Sequence, residues 1–161
     1  MTGPAGLRGY NRRVSRFYGI DDANSLLPGL AVVVERLRDQ RAELVNLRDL
    51  FRAREGDVLD AVIDADGADT ADTDDPELRR LRLRMRGIVD QMQADVVWLD
   101  ERAIVLRDIR TGLLDFPALV PGRQVWLCWR LGEEHVGWWH GVDEGFDGRR
   151  PLSELDPVAR A

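Results

Sequence analysis

The chain has 161 residues, 44% of them apolar, which fits one domain with a core of its own. Its single cysteine, Cys128, excludes an intramolecular disulfide framework and any site built from several thiolates, and it suits a reducing compartment. The net charge of −6 disfavours generic nucleic-acid binding, but the acidity is local: ten of the 29 acidic residues lie from Glu55 to Glu77 with no base among them.

Residues 1–16 carry Arg8, Arg12, Arg13 and Arg16 without an apolar run, and nowhere do 18 apolar residues follow one another. Neither a secretory leader nor a membrane span is expected, and a cytoplasmic location follows. All 23 basic residues are arginine, which reads as coding bias before it reads as chemistry.

From Asp21 the apolar positions Leu26, Leu30, Val33, Leu37, Leu44, Leu47 and Phe51 recur at spacings of three and four, with Gln40 in the one missing place. The pattern predicts a long amphipathic helix over 17–54, capped by Asp21 or Asp22 and ended by Gly56. Pro28 removes a backbone donor, so its first turns are expected to be kinked or separate. Residues 55–75 read as an acidic, mostly disordered insertion in which Val58, Leu59, Val62 and Ile63 could add a turn or two.

Asp75 and Pro76 form an N-cap and first-turn pair for a second helix over 76–102, with a stripe of Leu78, Leu81, Met85, Ile88, Met92, Val96 and Leu99. Two such stripes pack as an antiparallel hairpin. Over 103–152 the period shortens to that of strands, at Ile104 to Asp108, Leu113 to Phe116, Gln124 to Leu131 and Val136 to Val142. The fold class expected is α+β: a long two-helix hairpin followed by a four-stranded antiparallel meander, in one domain with flexible tails at 1–16 and 153–161.

If the Gly132 to His135 loop joins Leu131 directly to Val136, one face of that hairpin carries Val125, Leu127, Trp129, Trp138, His140 and Val142 and packs on the helices. The other face carries Trp126, Cys128, Arg130 and Trp139.

Three segments carry a family likeness: YGIDDANSLLPGL at 18–30, GLLDFPAL at 112–119 and GRQVWLCWRLGEEHVGWWHGVDEGFDGRRPL at 122–152. Over roughly 17–152 the chain resembles the bacterial family known as domain of unknown function 2203. The resemblance implies no reaction and no ligand. It singles out Asp115, Cys128, Trp129, Glu133, Trp139, His140 and Arg149 as positions of interest, and the acidic segment looks like an insertion relative to the family.

The residues themselves nominate a candidate ligand-binding set of Asp115, Trp126, Cys128, Trp129, Arg130, Glu133, Trp139, His140 and Arg149. A thiolate beside an imidazole is a minimal activated nucleophile, and either group can ligate a metal or haem. The expected register puts Cys128 and His140 on opposite faces, where each is an ordinary core residue. Four indoles within fourteen residues could form an aromatic cage or fill the junction between sheet and helices. Asp115 reads as the cap of a turn at Pro117. Arg79, Arg80, Arg82, Arg84 and Arg86 could meet phosphates, but across from Glu43 and Asp49 a charge-paired solvated face is the better reading.

No spacing specifies a metal site, and no cofactor is indicated. The leading functional expectation is a non-enzymatic binding or interaction module, acting as a homodimer or with a protein partner or small ligand. The alternative is a small ligand-, metal- or haem-binding protein or enzyme centred on the tryptophan-rich sheet.

Overall fold

The computed structural model describes residues 16–64 and 75–155. Helix α1 spans Ile20–Asp64 and α2 spans Pro76–Glu101. The strands β1 (Val105–Asp108), β2 (Leu113–Val120), β3 (Arg123–Arg130), β4 (Trp138–Gly141) and β5 (Arg150–Pro151) follow, paired antiparallel in sequence order. The architecture is α+β as expected, with five strands rather than four. The fifth is a two-residue strand against Trp138 and Trp139, too short to show any alternation.

Helix α1 starts at Ile20, so Asp21 and Asp22 stand in its first turn rather than at its cap, where their charge complements the helix dipole. Pro28 lies within this one helix, whose first turns are not a separate element. Gly56 does not end it. One glycine costs about 1 kcal/mol in a helix interior, and α1 continues to Asp64, which makes residues 55–64 of the expected insertion helical. Residues 65–74 lie outside the described residues, as do the tails at 1–15 and 156–161.

The hairpin seam follows the expected spacing on α1, with Leu30, Val33, Leu37 and Leu47 buried and Gln40 Nε2 donating to Gln91 Oε1 at 3.0 Å. On α2 it departs at one place. Val96 is 42% exposed, and the seam position between Met92 and Leu99 belongs to Asp95, which takes two hydrogen bonds from Arg36. A charge paired across the seam breaks the hydropathy pattern without breaking the packing. The cap of α2 is as expected: Asp75 Oδ1 accepts from the Glu77 amide at 3.0 Å, its Oδ2 accepts from Arg54 Nε at 2.5 Å, and Pro76 opens the helix.

The arginine-rich start of α2 is charge-paired in part. Arg84 bonds Glu43, Arg80 bonds Glu77 and Arg82 covers the Phe51 ring, whereas Asp49 pairs with Arg48 on its own helix.

One face of the sheet, bearing Leu114, Phe116, Ala118, Val125, Leu127, Trp129 and Trp139, forms the main core with Leu27, Leu30, Val34 and Leu37 of α1 and Leu99 of α2. Each such large side chain contributes about 1.5–3 kcal/mol. Tyr18 fastens the entry of α1 to the sheet: its amide donates to the Pro117 carbonyl, its hydroxyl donates to the Arg102 carbonyl and its ring meets Phe116 edge-on. Gly112, with φ +67°, brings the β1–β2 turn against α1, and a Cβ there would lie 2.6 Å from both Val34 Cγ1 and Leu131 Cβ. At the other end Leu152–Glu154 form a 3₁₀ turn and Leu155 is buried in the core, so the ordered chain extends past the expected boundary at 152.

The register of β3 with β4 differs by one residue from the direct Leu131 to Val136 hairpin. Trp126 pairs with His140, Leu127 with Trp139 and Cys128 with Trp138. The loop between them is held by other partners. The Val136 amide donates to Asn24 Oδ1 of α1 at 2.8 Å, the Glu133 carbonyl accepts from Trp129 Nε1 at 2.9 Å, and Glu133 Oε2 accepts from the Arg130 amide. A one-residue slip exchanges the faces of a whole strand. Trp139 therefore packs on the helices, and Trp138 and His140 turn to the other side.

Candidate functional site

The corrected register brings Cys128 and His140 to the same face, the one turned away from the helices. Both line a cavity of about 500 Å³ together with Asp115, Arg107, Leu113 and Val142, with Arg130, Thr111, Asp108 and Glu144 around them. Its position follows from strand alternation. Leu113 and Asp115 of β2 stand opposite Arg130 and Cys128 of β3, and His140 reaches in from β4.

Asp115 is the most buried polar group there, at 1% exposure. It does not cap a turn at Pro117, because Pro117 lies inside β2, which runs on to Val120. Its Oδ2 accepts from Arg107 Nε at 2.7 Å and lies 2.8 Å from His140 Nε2. The Oδ1 atom has no hydrogen-bond partner among the described residues. His140 Nδ1 lies 2.9 Å from the Gly141 carbonyl oxygen, so both ring nitrogens face oxygen acceptors. The Gly141 carbonyl can only accept, so Nδ1 donates to it.

Cys128 is a buried thiol facing that carboxylate. Burial first, and the Asp115 charge second, push it up to about 12. Glu144 is held in place at the rim, accepting from the Gly141 amide at 2.9 Å and from Arg150 Nη2 at 2.5 Å. The Gly141 bond, ahead of the Arg150 charge, keeps its carboxyl below the usual range. Among the described residues no group of three or more His, Cys, Asp and Glu side chains could hold a metal ion.

Of the nominated residues, Asp115, Cys128, Arg130 and His140 line the cavity. Trp126 is on the same face, under the Arg107 guanidinium at 5.1 Å from its ring centroid. Glu133 and Arg149 pair with each other at 2.8 Å, and Arg149 covers Trp138. Trp129 and Trp139 are buried on the helix side and are core residues. The four indoles therefore do not form one cage.

Arg107 and Thr111 were not found from sequence. A charge inside the expected strand Ile104 to Asp108 is the only signal that marked Arg107, and Thr111 sits in an ordinary turn.

A family model described as "Uncharacterized conserved protein (DUF2203)" matches residues 16–152. The chain belongs to the DUF2203 family. The match covers both helices and the five strands, and so the whole cavity of this DUF2203 chain. No curated protein and no solved structure matches it. Among the described residues no helix is long and apolar enough to cross a membrane.

Proposed function

We propose that this DUF2203 chain is a non-enzymatic small-ligand-binding module whose site is the cavity on the outer face of its sheet. The observation that carries the reading is Asp115 Oδ1, a buried acceptor without a partner in a cavity large enough for a small molecule. Leaving such an acceptor unpaired costs about 1–3 kcal/mol, which a donor on a ligand would recover. Cavities of some 300–1,000 Å³ with an apolar wall and a few convergent polar groups are the usual form of small-molecule sites.

The same geometry speaks against nucleophilic catalysis by Cys128 and His140. The thiol is raised to about 12, so it carries almost no thiolate near neutrality, and the two ring nitrogens of His140 are engaged with Gly141 and Asp115 rather than with Cys128.

A second reading, self-association into a homodimer, is supported by apolar exposure on α2. Val89 and Val96 are seven residues apart and therefore stacked on one helix face, both more than 40% exposed, with Val97 and Leu83 exposed further round. A cytoplasmic location belongs to the same proposal and rests on the single cysteine.

Native mass spectrometry of the full chain purified from its source cells tests both readings in one spectrum. A copurifying small molecule that is lost on Arg130→Gln is the expected result for the cavity. A ligand-free protein in every preparation would count against it. A dimer broken by Val89→Glu supports self-association, and a monomer at tens of micromolar excludes it.

A further inference from the structure

We infer that the cavity takes a small hydroxy acid with an apolar body: its hydroxyl donates to Asp115 Oδ1, its carboxylate lies on Arg130, and its hydrocarbon part rests on Leu113 and Val142. The inference rests on the ligand-binding reading above and narrows it to a chemical class.

The first requirement is a donor. Asp115 Oδ1 is buried and unpartnered, while Oδ2 is already shared by Arg107 and His140. A ligand atom seated there must bring a proton. Its charge is set by its surroundings. The carboxylate is ion-paired with the Arg107 guanidinium, so the pair carries no surplus negative charge to hold an ammonium. A neutral hydroxyl satisfies Oδ1 without adding a like charge.

The second requirement is an anion. Arg130 lines the cavity, is exposed, and has no side-chain partner among the described residues. The acidic groups near it are already engaged: Glu144 with Arg150 and the Gly141 amide, and Asp108 with the Arg110 amide. One planar guanidinium fork matches a single carboxylate.

The spacing is compatible with one short molecule. Arg130 is the ladder partner of Leu113, and Cys128 is the partner of Asp115. The two arms therefore rise from neighbouring strands on one sheet face, offset by two residues in register, about 7 Å along the strand direction. Leu113 and Val142 supply the apolar wall beside them.

The test is a titration of the full chain followed by amide correlation spectra, using three probes of one shape: leucate, isocaproate, which lacks the hydroxyl, and leucine, which replaces it with an ammonium. The expected result is leucate moving the amides of Leu113, Cys128 and His140, with Kd about tenfold below that of either analogue. Arg130→Gln, a substitution at an exposed side chain, is expected to weaken leucate about tenfold. Asp115→Asn is expected to erase the preference for leucate over isocaproate. Should that variant fail to fold, the three probes on the unaltered chain still decide.

Equal affinity for leucate and isocaproate, or no effect of Arg130→Gln, overturns the assignment. Tighter binding of leucine also overturns the hydroxy-acid class, while leaving the cavity as a ligand site. If none of the three moves the cavity amides the class is likewise overturned, and the ligand-binding reading is then decided separately by the native mass spectrum.

Discussion

His140 Nε2 lies 2.8 Å from Asp115 Oδ2, a contact that ties β4 to β2 across the intervening β3, with both side chains buried. Removing one partner of a buried, hydrogen-bonded pair costs about 3–5 kcal/mol, because the other is left behind uncompensated. Since Arg107 still reaches Asp115, the lower end is expected for His140→Ala. Urea unfolding should show this loss. The double variant Asp115→Ala with His140→Ala should lose less than the sum of the two singles. Additive losses would mean that the two side chains do not act as a pair.

Cys128 makes stability depend on alkaline pH. The unfolded thiol titrates at about 8.5, while burial raises the folded one to about 12. Between those values the folded chain keeps a proton that the unfolded chain has lost. The contribution is therefore fully present below the unfolded value and falls away as pH rises towards the folded one. Tyr18 is raised by burial as well and acts in the same direction, so the comparison must be made with Cys128→Ala, which retains Tyr18. Urea midpoints should decline more steeply with pH in the unaltered chain than in that variant, and thiol alkylation at neutral pH should be slow until denaturant is added.

Gly112 has two separate reasons to be glycine, its positive φ and the absence of space for a Cβ between Val34 and Leu131. Gly112→Ala should destabilise by about 1–3 kcal/mol, through backbone strain and overpacking together. Thermal unfolding measures it directly. Gly122, with φ +81° and nothing within 4 Å of where a Cβ would stand, meets only the backbone term. Its alanine variant should lose less.

Gln40 sits in an apolar seam with its Oε1 buried and unpartnered. Gln40→Leu would complete the seam and remove that acceptor, while Gln91, on the exposed side, can turn to water. The expected change is a gain of about 1 kcal/mol, read as a higher unfolding midpoint. A loss would show that the Gln40 to Gln91 bond fixes the helix register at a value greater than its unsatisfied atom costs.

Much of the helical half was legible because burial there follows a long period. Seven seam positions on α1 repeat one signal, so one polar member such as Gln40 could be placed by its neighbours. The cap at Asp75 and Pro76 was equally local. The end of α1 was not, because Gly56 only weakens a helix that its neighbours can sustain. Val96 was misplaced for a related reason: Asp95 enters the seam only with the help of Arg36, from a different helix.

In the sheet, strand positions were readable and register was not. The slip that joins Cys128 to His140 depends on Asn24 capturing the Val136 amide and on Glu133 folding back to Trp129 and Arg130. Those contacts are long-range or specific to one loop, and alternation within a strand says nothing about them. Asp115 was visible as a lone acid in an apolar run, but its partners come from two other strands, β1 and β4.

The most direct test of the sheet cavity as a ligand site is a small-molecule titration monitored by amide correlation spectra, run in parallel on the unaltered chain and on Val142→Trp. Val142 lines the cavity and is 52% exposed, so an indole there would fill the space without disturbing the core. Shifts clustered on Leu113, Cys128 and His140 that vanish in Val142→Trp, with unchanged thermal stability, are the predicted result. Shifts confined to the valines of α2, or identical in both proteins, would contradict it.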